Sequence, residues 1–255
     1  MNTFKIVLDI ARQFAQNLNM FKNAPTEKGE QTRTAIFECA LQLFREKGFD
    51  ATTMRDVAVK AGVALGGAYY YFPSKEAIIQ AYYEVVQAEH NRRVRVALAE
   101  GKLDLRARIQ LAMQSKLDIL RNDRNLLGVV FRYTGEPDHP LSCLSAGTAH
   151  IRRESIEVFS RAIGDEKLPK DLRQLLPVAL WAFQMGLLIL FIYDNSPNQQ
   201  RTRRLMDGAL DLTVRLLSLA KFSVLKPIRS KVLSLLRDND LFPDFEIAAS
   251  QTENS

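Results

Sequence analysis

Cysteine is nearly absent from this chain: Cys39 and Cys143 are the only two, far apart and in no metal-type spacing. That argues against a disulfide framework and fits a reducing cytoplasm. Histidine is equally sparse, and His90, His139 and His150 form no paired motif, so no metal site is expected. No Gly-x-Ser-x-Gly, no His-Glu-x-x-His and no cofactor fingerprint occurs, and the carboxylates are scattered over expected exposed helix faces. These absences argue against an enzyme and against a bound cofactor. Alternating apolar and polar runs are missing, as is any Asn-Gly hairpin signal, so no sheet is expected. The first residues carry one lysine and then Asp9 inside their apolar part, a poor secretory signal.

What is present is helical periodicity over almost all of 255 residues, enough for one large domain or two small ones. Hydrophobic content of 47% and charged content of 25% are ordinary for a soluble globular protein. A net charge of +6 permits an anionic partner without demanding one. Phe4, Val7, Ala11, Phe14 and Leu18 form a first stripe, followed by a polar linker over 23–31. Met20 is a second candidate start, which would leave this extension out.

A helix over about 32–47 turns Ile36, Cys39, Ala40, Leu43 and Phe44 inward, and Gly48 supplies a left-handed stop. Thr53 and Asp56 make a capping-box pair for a helix that buries Met54, Val57, Ala58 and Ala61 and ends at Gly62. Ser74 caps a long helix over 75–100, with Ile78, Ile79, Tyr82, Val85 and Val86 inward. Further helices are expected at about 104–122, 125–134, 141–163, 171–194 and 199–221, with a shorter one near 227–237. Leu205, Ala209, Leu212, Leu216 and Leu219 lie on one stripe, with Met206, Leu210 and Leu217 beside it. So wide an apolar face needs a partner helix. The run over 175–193 has Gln184 as its single strongly polar residue and is long enough to span a bilayer. It contains Pro177 and Gly186 and is the only such run, so a helix buried in a bundle or subunit interface is preferred to a membrane span.

Residues 64–76, ALGGAYYYFPSKE, fit this pattern poorly. A phosphate-cradling loop lacks its lysine motif and preceding strand, and a tyrosine stacking platform lacks its sheet. A helix-turn-helix fits the spacing: a helix, a turn at 62–64, then about two helical turns. Each glycine costs a helix about 1 kcal/mol relative to alanine. A leading turn without side chains can, however, bring its backbone close to DNA. Tyr69 and Tyr70 then sit where hydroxyls reach phosphates, and Lys75 adds a cation at the next helix start. The competing reading has the tyrosines packing a three-helix core, a role that suits Tyr71 and Phe72 best.

The segment TRTAIFECALQLFREKGFDATTMRDVAVKAGVALGGAYYYFPSKEAI resembles the DNA-binding domain of the tetracycline-repressor (TetR) family. The matches run in order: Leu43 and Phe44, Gly48, Thr52 and Thr53, Asp56 to Ala58, Ala61 to Val63, Gly66, Tyr69 and Tyr70, Phe72, and Ser74 to Glu76. The resemblance implies an all-α chain. An N-terminal three-helix helix-turn-helix DNA-binding domain at 29–89 would follow an extension over 1–28. A C-terminal helical ligand-binding and dimerisation bundle would span 90–222, before a helix and tail over 223–255.

It further implies a cytoplasmic regulator, a repressor by family default. The regulator would bind double-stranded operator DNA as a homodimer and be released by a small molecule. Each subunit would place a recognition helix at about 65–71 in the major groove of half a palindrome. Phosphate contacts would come from Thr52, Thr53, Tyr69, Tyr70 and Lys75, and base contacts from Arg55, Leu65, Gly66 and Gly67. Only Arg55 among these is a bidentate donor for guanine, and a solvated helix face stays open for it. The dimer would form through the helices near 171–194 and 199–221. A lipophilic effector would sit among Phe131, Tyr133, Trp181, Phe183, Met185 and Phe191, for which plain core is the competing reading.

Two positions depart from the family pattern. Ala64 stands where a capping Ser or Thr is usual, and Ala68 where a larger aliphatic is usual. Both leave the recognition helix loosely formed until DNA is bound. Six basic and six acidic residues balance over 30–76, so contact cations have to gather on one face. The alternative function is a helical interaction or membrane-associated protein.

Overall fold

The computed structural model describes residues 27–133, 136 and 138–220, then 226–227, 230–231 and 234–235. The stripe over residues 4–18 lies outside the described residues, as does most of the helix expected near 227–237. Among the described residues there are helices and no strands: α1 (Glu27–Lys47), α2 (Met54–Ala61), α3 (Leu65–Tyr71), α4 (Lys75–Glu100), α5 (Leu105–Leu120), α6 (Arg124–Val130), α7 (Ala149–Ile163), α8 (Lys170–Tyr193) and α9 (Gln200–Ala220). Short 3₁₀ turns at Phe131–Tyr133, Ala146–Thr148 and Pro197–Gln199 join some of them.

Two boundaries differ from expectation. Helix α1 starts at Glu27, taking in residues read as linker, with Glu27 and Glu30 in its first turn where the helix dipole favours acids. Helix α7 starts at Ala149 rather than near 141. Before it, hydroxyls compete for the backbone: Thr148 Oγ1 donates to the Ser142 carbonyl at 2.6 Å, and the Leu144 amide donates to Ser142 Oγ at 3.2 Å.

The chain divides into two compact units, one of Met1–His90 with Ile119–Ile151, the other of Asn91–Asp118 with Arg152–Ser255. One boundary between the units falls at His90. Residues 119–151 pack with the first unit. The reason is a buried polar knot: Asp123 accepts from Arg45 Nε at 2.6 Å and from Tyr82 Oη at 2.8 Å. Tyr82 is buried, and burial with the adjacent Asp123 holds its hydroxyl protonated well above the usual tyrosine range. Around this knot Ile36, Phe37, Ala40, Phe44, Val57, Ala58, Ala68, Phe72, Ile78 and Ile79 form the unit's apolar core.

In the second unit Ile109, Met113, Leu117, Val158, Phe159, Trp181, Phe191, Met206 and Leu210 are buried. Asp194 closes the α8–α9 turn by accepting from the Thr202 amide and hydroxyl, both at 2.9 Å, and from the Ser196 amide and hydroxyl. Burial alone would raise its carboxyl, yet these hydrogen bonds hold it well below the ordinary carboxylate range. Lys116 is buried, at 7% exposure. Desolvation depresses its ammonium to about 7, against an upward pull from Glu154.

The unfolded chain therefore binds the Lys116 proton more tightly than the folded one. Its contribution to stability falls as pH drops from 10.5 to about 7, and stays level below that. Lys116→Met is expected to raise stability, with a larger gain at pH 6 than at pH 10, as read by urea unfolding at both pH values. An equal gain at both would show that Lys116 does not titrate in this range.

Candidate nucleic-acid interface

The capping box forms as the sequence predicts. The Asp56 amide donates to Thr53 Oγ1 at 3.1 Å, and the Thr53 amide donates to Asp56 Oδ2 at 2.8 Å. The Thr53 backbone and hydroxyl, with Lys47 at 3.2 Å, hold the Asp56 carboxyl down to about 2. Helix α2 ends at Gly62 with φ of 68°, a left-handed conformation that favours glycine.

Helix α3 spans the predicted recognition segment, and Ala64 gives it no side-chain cap. Inward, Ala68 is fully buried and Phe72 stacks on Phe37 with ring centroids 6.3 Å apart. The Arg33 guanidinium covers Phe72 at 4.7 Å. Outward, Leu65, Gly66, Tyr69 and Tyr70 are exposed, Tyr70 to 82%. Gly67 and Tyr71 lie at the side, half-buried, and Tyr71 packs edge-on against the Tyr70 ring at 5.1 Å. Arg55 is exposed on α2, with no hydrogen-bond or ion-pair partner among the described residues.

Two predicted contact residues are placed otherwise. Thr52 is fully buried, its hydroxyl donating to the Gly48 carbonyl at 2.7 Å, so it shapes the α1–α2 turn instead of facing a ligand. Lys75 Nζ donates to the Phe49 carbonyl at 2.7 Å and lies over the Phe49 ring at 4.5 Å. A short cation path to a backbone carbonyl and an aromatic face has captured it. The same turn is held by Asp50, which pairs with Arg132 at 2.7 Å and accepts from Tyr133 Oη at 3.3 Å. Nothing in the sequence pairs Asp50 with Arg132 or Arg45 with Asp123, because each pair lies about eighty residues apart.

The six residues predicted to line an effector pocket are not brought together within one unit. Phe131 and Tyr133 belong to the first unit, where the Tyr133 ring stacks on His139 at 4.0 Å. Trp181, Phe183, Met185 and Phe191 belong to the second. On α8, Trp181 and Phe191 are buried, and Phe183 and Met185 are half-buried. The helical repeat of about 100° per residue turns Phe183 away from Trp181 and Met185.

The family model for bacterial regulatory proteins of the tetR family matches residues 36–82, and that for the tetracyclin repressor-like C-terminal domain matches residues 108–235, half of the chain. The chain belongs to the tetR family. Among curated relatives, the transcriptional regulator TtgR of Pseudomonas putida is 32% identical over 78 residues, 31% of this chain and 37% of TtgR. The transcriptional repressor KstR2 of Rhodococcus jostii is 29% identical over 107 residues, 42% of this chain and 50% of KstR2. The chain thus spans only about a third to a half of the length of these curated relatives. A TetR transcriptional regulator from Nitrosomonas europaea shares the fold, with a TM-score of 0.57 at 21% identity over 71% of this chain and 96% of that one.

Helix α8 is long and apolar enough to cross a membrane, and 56% of its most apolar window is buried. It lies inside the stretch matched by the tetracyclin repressor-like C-terminal domain model.

Thr53→Ala removes the hydroxyl that accepts from the Asp56 amide and donates to its carboxylate. The Asp56 carboxyl is expected to move up from about 2 towards 3.8, followed by carboxyl-carbon NMR. Helix α2 then loses cap support at higher pH as the solution is acidified, because a depressed carboxyl stabilises only while ionised. An unchanged Asp56 titration would show that the Thr53 hydroxyl does not contribute to holding it down.

Proposed function

We propose that this chain is a sequence-specific DNA-binding transcriptional repressor that acts as a homodimer on a palindromic operator. The observation that carries this reading is the division of α3 into two faces. Ala68 and Phe72 anchor it to α2 and α1, while Leu65, Gly66, Tyr69 and Tyr70 stand exposed on the helix-turn-helix of a tetR-family chain. Thr53, Arg55, Tyr69 and Tyr70 are the contacts the geometry favours, with tyrosine hydroxyls on phosphates and Arg55 on a base or phosphate. Thr52 and Lys75 act behind them by shaping the turn.

Dimerisation is supported by α9. Within the chain α9 buries Met206, Leu210 and Leu217, while Leu205, Leu212, Leu216 and Leu219 stand about half exposed along its other side. Ile189, Leu190 and Tyr193 at the end of α8 are exposed as well. A second copy related by a two-fold axis covers such leucines with their own equivalents.

An effector in the second unit is supported by Ser115 Oγ and Gln184 Nε2, both buried with no hydrogen-bond partner among the described residues. Buried polar groups of this kind are satisfied by water or ligand. In a unit whose core is otherwise apolar, they suit a mainly lipophilic molecule carrying a hydrogen-bonding group.

Leu212→Glu with Leu216→Glu is expected to give a monomer in sedimentation velocity and to abolish the gel shift on a selected operator. Tyr70→Ala is expected to remain dimeric while weakening that shift at least tenfold, roughly the loss of one charge-assisted hydrogen bond. A dimeric double-glutamate variant, or a Tyr70→Ala variant with wild-type affinity, would contradict the proposal.

A further inference from the structure

Gly66 has no structural reason to be glycine. Its φ is not positive, and a Cβ built on it would meet nothing within 4 Å. The adjacent Gly67 could also carry a methyl group, in ordinary contact with Val63 Cβ at 4.0 Å. Alanine is the better helix former at both positions. The fold therefore gains nothing from leaving Gly66 bare, and the gain has to lie with what meets the outward face.

That face has an unusual chemistry for a reader of bases. Helix α3 is Leu-Gly-Gly-Ala-Tyr-Tyr-Tyr, with no arginine, lysine or side-chain amide. The side chains that read guanine or adenine by paired hydrogen bonds are absent from it. On a helix of 3.6 residues per turn, Gly66 lies one turn ahead of Tyr69 and Tyr70, between their directions, with Leu65 beside it. Gly66 therefore leaves a gap one side chain deep in the outward face, between the positions of Leu65, Tyr69 and Tyr70. The Tyr70 ring is packed edge-on by Tyr71 at 5.1 Å. In the major groove, the base-edge feature recognised by apolar contact is the thymine C5-methyl group.

We propose that Gly66 is a specificity-determining position, whose gap between Leu65, Tyr69 and Tyr70 receives the methyl group of a thymine in each operator half-site. This rests on the reading of α3 as the recognition helix. The missing Cβ leaves room for that methyl group, and the neighbouring apolar groups exclude the water that would otherwise cover it.

The test starts with duplexes that the full-length protein enriches from a random-sequence DNA pool. Each thymine of the enriched half-site is replaced singly by deoxyuridine, which removes one methyl group and leaves the hydrogen-bonding edge intact. At one position per half-site the wild-type protein is expected to lose affinity roughly fourfold, the effect of exposing one methyl-sized group. Gly66→Ala is expected to raise the thermal midpoint and to bind the thymine duplex roughly tenfold more weakly, because its methyl group overfills the gap. At that position it no longer distinguishes thymine from deoxyuridine.

Affinity that is indifferent to every methyl removal would overturn the proposal, and so would a Gly66→Ala variant that binds the thymine duplex as tightly as wild type. In both cases the parent reading would stand. Failure to enrich any sequence would overturn the parent reading and this one with it.

Discussion

The recognition helix is held by what lies behind it, and the working surface depends on that hold. Helix α3 has seven residues, too few to persist alone in water. Two glycines cost about 1 kcal/mol each and the missing cap at Ala64 costs about 1 more, so its local preferences oppose it by roughly 3 kcal/mol. Against this stand the burial of Ala68 on α2 and of Phe72 between Phe37 and the Arg33 guanidinium. Burying one phenylalanine contributes about 1.5–3 kcal/mol. The two sides nearly cancel, so α3 is helical because of its neighbours.

The anchors reach further through the turn before α2. Gly48, Thr52 and Thr53 set its backbone, and the capping box at Thr53 and Asp56 fixes where α2 begins. Lys75, Arg132 and Tyr133 grip the same turn at Phe49 and Asp50. The buried Asp123 joins α1, α4 and the start of α6 through Arg45 and Tyr82. Asp123, Arg132 and Tyr133 all fall within the stretch matched as the tetracyclin repressor-like C-terminal domain, yet they bond to α1, α4 and the α1–α2 turn. The exposed pair at Asp50 is worth little on its own, whereas the desolvated carboxylate at Asp123 is costly to disturb.

Much of this was legible in the sequence, because it is written in local signals. The capping box, the Gly62 stop, the bounds of α3 and α4 and the inward positions of Ile78, Ile79 and Tyr82 all follow from spacing and cap chemistry. The paired faces of α9 were visible as a stripe, although the sequence could not say that Met206, Leu210 and Leu217 would take the inner side. What remained hidden is long-range: the capture of Lys75 by the Phe49 carbonyl, the knot at Asp123, and the return of 119–151 to the first unit. Thr52 lies in a stretch that matches a contact motif, while its own hydroxyl closes a turn. The expected effector residues divide between the two units, since aromatic content alone does not say which unit a side chain joins.

Hydrogen exchange over residues 65–71, with and without bound operator DNA, tests most directly whether α3 is held by its neighbours rather than by itself. The account predicts amides that exchange far faster than those of α4 in the free protein and slow sharply once DNA covers the outward face. Equal, strong protection of these amides in both states would contradict it, because α3 would then be stable in its own right.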